Sequence, residues 1–441
     1  YFCNRNKLSD LKKRVAFQTL GCKLNFAESS TMARSFPEDA YQRVSPDSEA
    51  DIYIINTCSV TDTADKKCRQ AIRKIISNNP EAFVAVVGCY AQLNPGAVAQ
   101  IEGVDLVLGT DEKFNISSYI ENIEKKKAAE IHSCEKIDAA GFNASWSSND
   151  RTRSFLKVQD GCDYHCSYCT VPLARGASRN QPIEGIVKEA KSIVAAGVKE
   201  IVLTGVNVGD FGKSTGESLE ELLRILCRVE GLERLRLSSI EPNLLTNDII
   251  KLIASEPVLM PHIHMPLQSG NDHILGLMRR RYKREVFRDR INAIKELLPA
   301  AAAGADVIVG FPGETEEEFE DTYEFLSSIP FTYLHVFAFS PRPGTPAADM
   351  PGKVTEKIKE NRSRQLIRLS ESHKNLFMRE NTGEIRNVLF EKKNFSGMIA
   401  GFTENYIKTF VPYNKSLSGN VLRVRLTKVN EDGTMNGELI D

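Results

Sequence analysis

Between residues 154 and 338 the chain repeats one pattern six times: a short Val-, Ile- and Leu-rich run, then an amphipathic stretch. The runs are "SFLKVQD", "KEIVLTG", "RLRLSS", "HIHMPLQ", "ADVIVGF" and "YLHVFAF". A strand that continues through a helix into the next strand returns parallel to itself, and such sheets are covered on both faces. Six consecutive units therefore confine this segment to a partial (βα)6 TIM-like barrel, whose ligands bind at the C-terminal strand ends. The helices between the runs include Glu184–Ala196, Leu219–Val229 and Glu316–Ser327. Thr315 with Glu318 opens the last as a capping box.

A chain of 441 residues is too long for one core. Residues 13–131 alternate buried runs ("RVAFQTL", "ADIYIIN", "AFVAVVG", "VDLVLGT") with helical stretches at Thr63–Asn79 and Pro95–Ile101, which predicts a separate parallel α/β sheet domain. Residues 132–153, rich in Ser, Asn, Asp and Gly, read as a linker. The barrel domain occupies 154–380 and ends in a polar helix from Lys353 to Glu380. Residues 381–441 hold about five short strands with turns, the pattern of a small closed β-barrel.

With 41% hydrophobic residues and 26% charged ones, the composition is that of a soluble globular protein. No signal-peptide pattern is present, and the longest apolar stretch, 297–312, is broken by Gly304 and Asp306, so no membrane association and a cytoplasmic location are expected. A net charge of −1 leaves nucleic-acid binding to local patches. Three are available. Arg279–Arg284 has five basic residues in six, and the helix from Lys353 carries eight Lys or Arg against four acids. In the terminal domain Phe390, Lys392, Phe402, Tyr406, Lys408 and Phe410 interleave rings with cations.

Ten cysteines in a reducing compartment point to metal rather than disulfides. Cys162, Cys166 and Cys169 crowd into "CDYHCSYC", just after the first barrel strand. Three thiolates so close repel one another unless a cation holds them. A structural zinc site wants four ligands, and His165 is the one further donor at hand. A four-iron cluster on three cysteines keeps an iron open for a ligand. A small zinc knuckle, as in a zinc-stabilised non-catalytic RNA-binding protein, or plain buried thiols remain the alternatives. Cys22, Cys58 and Cys89 share no local motif, yet each stands just beyond a predicted parallel strand, and in an open α/β sheet those ends share one edge. Cys68 and Cys227 lie in helical stretches and Cys134 opens the linker. All three read as structural or neutral, and Cys3 is unassigned.

With both triads in hand, the chain resembles the radical S-adenosylmethionine (SAM) methylthiotransferases over nearly its whole length. "CDYHCSYC" is similar to their CxxxCxxC loop; "TLGCKLN", "NTCSVT" and "VGCYAQ" resemble their three N-terminal cysteine motifs; the terminal barrel resembles the TRAM domain, an RNA-binding module. "TLGCKLN" with Lys23, "VQDGC", "PLARG" and "PLQSGND…MRRRY" resemble the branch acting on N6-threonylcarbamoyladenosine at position 37 of tRNA, beside the anticodon. The alternatives are isopentenyladenosine in tRNA or a ribosomal protein.

The resemblance implies two 4Fe-4S clusters with SAM. The cluster on Cys162, Cys166 and Cys169 would cleave SAM to a 5′-deoxyadenosyl radical that takes the adenine C2 hydrogen, and the one on Cys22, Cys58 and Cys89 would present sulfur. Such chemistry also needs an electron donor and a sulfur donor. Candidate SAM contacts at the strand ends are Tyr168, Thr204, Gly205, Ser239, Glu241 and Gln268. An anionic threonylcarbamoyl group calls for a cation, and Lys23, Arg175 and Arg342 are the candidates.

Overall fold

The computed structural model describes residues 12–120, 124–133, 141–148 and 152–440. They form two compact units, one running to Ser147 and including Thr170–Gly176, the other comprising Ser148–Cys169 and the chain from Ala177.

The first unit is a six-stranded sheet of β1 (Lys13–Thr19), β2 (Tyr41–Val44), β3 (Ile52–Thr57), β4 (Phe83–Gly88), β5 (Leu106–Leu108) and β6 (Glu130–His132), in the order β2-β1-β3-β4-β5-β6. Every pairing is parallel. Alternate residues of β3 and β4 feed opposite faces: Ile52, Ile54, Phe83 and Ala85 pack into one core, Tyr53, Ile55, Val84 and Val86 into the other. Burial on both faces is why these strands read as unbroken apolar runs. The edge strands "YQRV" and "EIH" are too polar to announce themselves and escape the sequence reading. Helices α1 (Lys23–Arg34), α2 (Asp62–Asn78), α3 (Cys89–Leu93), α4 (Pro95–Ala99), α5 (Ile116–Tyr119) and α6 (Val171–Arg175) complete the unit. Within the stretch expected as a linker, β7 (Ser145–Trp146) packs on α1: the Trp146 N–H donates to Thr31 Oγ1 at 3.3 Å, and the Arg34 guanidinium lies 4.0 Å from the indole centroid. Of that stretch, residues 134–140 and 149–151 lie outside the described residues, and with them Cys134; Cys3 does as well.

In the second unit all six expected barrel strands are present: β8 (Arg153–Lys157), β9 (Glu200–Thr204), β10 (Arg234–Leu237), β11 (His262–Gln268), β12 (Ala302–Val309) and β13 (Tyr333–Ala338). They follow one another in parallel order, β10 meeting β11 through single bridges at Leu235–Leu259 and Ser239–His264. Helices α7 (Ile183–Ala195), α8 (Leu219–Leu226), α9 (Asn247–Ser255), α10 (Asp272–Leu277), α11 (Arg284–Leu297) and α12 (Glu316–Ser327) return the chain. The Thr315–Glu318 capping box starts α12 as expected. Helix α13 (Glu356–Glu380) follows β13, and its basic excess is only partly solvated: Arg362 is buried against Glu314 and Glu316, and Lys359 donates to the Phe339 carbonyl.

The terminal strands β14 (Ile385–Phe395), β15 (Met398–Thr403), β16 (Lys408–Pro412), β17 (Val421–Val429) and β18 (Met435–Leu439) close into a barrel. Its β15–β16 turn seats at the N-terminal ends of the larger barrel's strands. Arg234 donates to the carbonyls of Asn387 (2.6 Å) and Phe402 (3.0 Å), and Arg236 to that of Glu404 (3.1 Å). The Tyr406 ring stacks on His262 at 4.3 Å. Glu200 lies buried among Arg153, Arg234 and Arg236 at 3.1–3.8 Å.

Candidate functional sites

Strands β1, β3 and β4 are immediate neighbours, and their register sets Thr19 beside Asn56 and Thr57 beside Gly88. Cys22 caps α1 beyond β1, Cys58 follows β3, and Cys89 opens α3 directly after β4. The topology thus levels three cysteines from distant parts of the sequence at one sheet edge. Close approach is enforced by Gly21, at φ +107°: a Cβ there would sit 2.5 Å from the Cβ of Cys58 and 2.9 Å from its sulfur. Burial pushes the Cys58 thiol up to about 12, and its neighbours Cys22 and Cys89 add to the rise. Three thiols so placed cannot all ionise without a cation.

Polar groups brace this edge, among them Asn25, Glu28 and Lys113, which sequence reading missed. Asn25 Nδ2 donates to the carbonyls of Leu20 (2.7 Å) and Thr57 (3.0 Å), tying the Cys22 and Cys58 loops together. The Cys68 thiol donates to the Cys58 carbonyl at 3.4 Å, giving that helical cysteine a structural role. Arg175 is buried and donates to Glu28 (2.9 and 3.1 Å) and to Asn25 Oδ1 (3.1 Å), while Lys113 donates to Glu28 at 2.6 Å. Lys23 is exposed at the start of α1.

In the second unit the loop after β8 carries Cys162, Cys166 and Cys169. The Tyr164 N–H donates to the Cys162 sulfur (3.4 Å), the Cys169 N–H to the Cys166 carbonyl (3.2 Å), and Ser167 is pinned to Leu277 and Met278. Burial lifts the Cys162 thiol to about 12, with Cys169 and Cys166 contributing. Arg280, the second residue of the basic run Arg279–Arg284, is not a solvated charge. Its side chain is buried; it donates to the Cys166 sulfur at 3.2 Å and the Tyr168 hydroxyl at 3.4 Å, and pairs with Glu241. Arg281 donates to the Asp163 carbonyl at 2.7 Å. The spacing of a run cannot show which member turns inward.

The six residues expected to contact SAM all lie in this unit, near strand ends. Thr204 is buried at the end of β9, and a Cβ on the adjoining Gly205 would meet Gln159 Oε1 at 2.9 Å. Ser239 bridges to His264, and Glu241 is half-buried; burial raises its carboxyl, opposed by Arg280. Gln268 ends β11 in the left-handed region at φ +69°. Tyr168 meets Phe311 edge-on at 6.4 Å. Asn207 belongs with them: it is buried, and neither side-chain amide atom has a hydrogen-bond partner, a cost of about 1–3 kcal/mol that a bound polar ligand would relieve. Arg342 is buried after β13, its carbonyl accepting from Thr345.

The terminal rings divide by position. Phe390 is core, while Phe402 and Tyr406 stack on each other and face Arg153 at the seat of the larger barrel. Phe395 and Phe410, edge-on at 5.6 Å, carry Lys408 5.1 and 5.2 Å from their centroids and Lys393 beside Phe395, which leaves this quartet as the candidate RNA-facing group.

A tetrahedral zinc with bonds of about 2.3 Å draws its sulfurs to within about 3.8 Å of one another. Among the described residues, neither cysteine triad is a set whose ligand atoms all lie within 4.8 Å. Four-iron clusters spread their cysteines over separate irons, farther apart than the ligands of one ion.

Three family descriptions match the chain: "Uncharacterized protein family UPF0004" over residues 14–109, "Radical SAM superfamily" over 156–326 and "TRAM domain" over 379–440. Among solved structures, the radical S-adenosylmethionine methyltransferase TsrM from Kitasatospora setae superposes with a TM-score of 0.55 at 15% identity, covering 77% of each chain, which shows a shared fold. The threonylcarbamoyladenosine tRNA methylthiotransferase MtaB of Bacillus subtilis is 39% identical over 94% of both chains. Its counterpart in Aquifex aeolicus is 40% identical over 89% of this chain and 95% of its own. The tRNA-2-methylthio-N(6)-dimethylallyladenosine synthase of Aquifex aeolicus is 32% identical over 98% and 99%. Two cysteine triads at strand ends, a radical SAM barrel, a TRAM domain and full-length identity of this order place the chain in one group: it belongs to the tRNA methylthiotransferase family of radical SAM proteins.

Proposed function

We infer that this protein converts N6-threonylcarbamoyladenosine beside the tRNA anticodon to its 2-methylthio derivative, using SAM and two 4Fe-4S clusters. One observation carries the substrate: across nearly the whole chain, identity is 35–40% to four threonylcarbamoyladenosine enzymes and 32–33% to the dimethylallyladenosine synthases. Cys22, Cys58 and Cys89 would hold one cluster, and Cys162, Cys166 and Cys169 the other. When bound, the clusters supply the electron that cleaves SAM and an iron that holds sulfur.

The chain's own groups do the rest. Arg280 neutralises the Cys166 sulfur and locks the cluster loop to Glu241 after β10. Thr204, Gly205, Ser239, Glu241, Gln268, Tyr168 and Asn207 offer polar contacts for SAM at the strand ends. The cationic group for the substrate carboxylate is either Lys23, exposed beside Cys22, or Arg342 after β13. Arg175, engaged by Glu28, instead positions the Cys22 loop. An electron donor and a sulfur donor to the Cys22–Cys58–Cys89 cluster complete the turnover, in the cytoplasm where charged tRNA is handled. We assign the working domains as 13–131, 154–380 and 381–441 around the connecting stretch 132–153.

The test offers reconstituted enzyme two anticodon stem-loops, one with each modified adenosine, and follows the methylthio product by mass. Turnover of the threonylcarbamoyl substrate is expected. Turnover of the isopentenyl one alone would reverse the substrate, and modification of a ribosomal protein in place of both would remove tRNA.

A further inference from the structure

Three neighbouring strands of the larger barrel put His264 (β11), Asp306 (β12) and His335 (β13) on one face, the register pairing Pro266 with Asp306 and Asp306 with His335. The intervening residues Ala305 and Val307 are fully buried on the opposite face, and the triplet shares the other face with Tyr333, which His262 and His264 contact. His264 Nε2 lies 2.9 Å and His335 Nδ1 3.3 Å from the same oxygen, Asp306 Oδ1. Among the described residues, this is the one group of three His, Cys, Asp or Glu side chains whose ligand atoms all lie within 4.8 Å of one another.

The spacing has a chemical meaning. Ligands at right angles around an ion, with bonds of about 2.1 Å, stand about 3.0 Å apart. Two imidazoles and one carboxylate on one side of an ion form the facial set that holds divalent first-row metals with the remaining positions open. The outer contacts suit ligation as well. The other nitrogen of His264 meets the Tyr333 hydroxyl at 3.2 Å, which in turn meets His262 at 2.8 Å, the kind of second contact that fixes a ligating ring. Gly304 makes room for that tyrosine, since a Cβ there would fall 2.3 Å from the ring. His335 is half exposed and Asp306 partly so, leaving the group reachable.

We propose that His264, Asp306 and His335 bind one divalent first-row transition ion, distinct from both iron–sulfur clusters, with its remaining positions open. Such an ion sets a fixed positive charge where the bare triplet presents a carboxylate, and it offers positions to oxygen donors of a bound ligand. The site stands on this geometry alone and does not depend on which adenosine is modified.

The test uses the full chain with both clusters reconstituted, briefly treated with chelator and then titrated anaerobically with Mn2+. Loss of the free Mn2+ resonance counts bound ion, and iron analysis with visible absorption confirms that both clusters persist. One Mn2+ per chain is expected. Binding should weaken at least tenfold in His335→Ala, whose half-exposed side chain can be removed without opening the core, and in Asp306→Asn, while His273→Ala, an exposed histidine paired to Glu318, leaves it unchanged. Equal Mn2+ uptake by wild type and His335→Ala, with clusters intact in both, would overturn the site, as would a wild type that takes up none.

Discussion

At the scale of single residues, two positions with no ligand atom of their own govern the cysteine triads. Gly21 is needed both for its φ of +107° and because Cys58 occupies the space of a side chain. Gly21→Ala should displace Cys58 and release the N-terminal cluster, lowering iron from about eight to about four per chain. SAM cleavage should survive, since the Cys162 loop belongs to the other unit; a full iron complement in that variant would contradict the placement. Arg280 is the second. Removing its guanidinium leaves the largely enclosed Glu241 carboxylate, 12% exposed, without its partner and the Cys166 sulfur without its donor. A buried pair broken on one side costs about 3–5 kcal/mol, so Arg280→Ala should lose about that much stability in denaturant titration. Arg281→Ala, on an exposed neighbour, should lose less than about 1 kcal/mol.

At the scale of elements, the strand end is the unit that matters. A parallel strand delivers its last residue to the sheet's C-terminal edge whatever the sequence distance to the next strand, so β1, β3 and β4 assemble a three-thiol set from residues 22, 58 and 89. Replacing Cys162, Cys166 and Cys169 together by Ala should halve the iron and abolish SAM cleavage. Replacing Cys22, Cys58 and Cys89 should halve the iron, keep 5′-deoxyadenosine formation and end methylthiolation. Methylthio product from the second variant would reduce that triad to a structural feature.

At the scale of the molecule, the TRAM barrel is built into the larger barrel rather than strung behind it, because Arg234 and Arg236 spend their donors on its carbonyls and Tyr406 stacks on His262. Calorimetry should show these two parts unfolding in one transition; a separate transition matching isolated 381–441 would disprove the coupling. Glu200 holds the seat. Burial would raise its carboxyl, but Arg236, Arg153 and Arg234 override burial and keep it below the ordinary carboxylate range. A folded-state value below the unfolded one stabilises fully above about pH 4.3 and is lost as pH falls through the folded value. Glu200→Gln should therefore cost about 3–5 kcal/mol at pH 7, and the gap to wild type should shrink below about pH 4. A gap independent of pH would show that the charge does not matter.

What the sequence by itself determined is whatever depends on local pattern. Buried runs separated by amphipathic stretches named all six barrel strands and the four central strands of the first sheet. The Thr315–Glu318 cap and the cysteines at strand ends followed from the same signal, because burial on both faces and helix capping leave their record in adjacent residues. Edge strands β2 and β6, half solvated, leave no such record. Only the tertiary structure decided which charges turn inward. Arg280, Arg175, Arg234 and Arg236 are indistinguishable in sequence from their exposed neighbours, and each is buried because a partner far along the chain, Glu241, Glu28, Glu200 or a TRAM carbonyl, is brought to it. The same holds for His264, Asp306 and His335: single polar residues in apolar strands, they come within contact of one another because parallel pairing in register stacks three strands side by side.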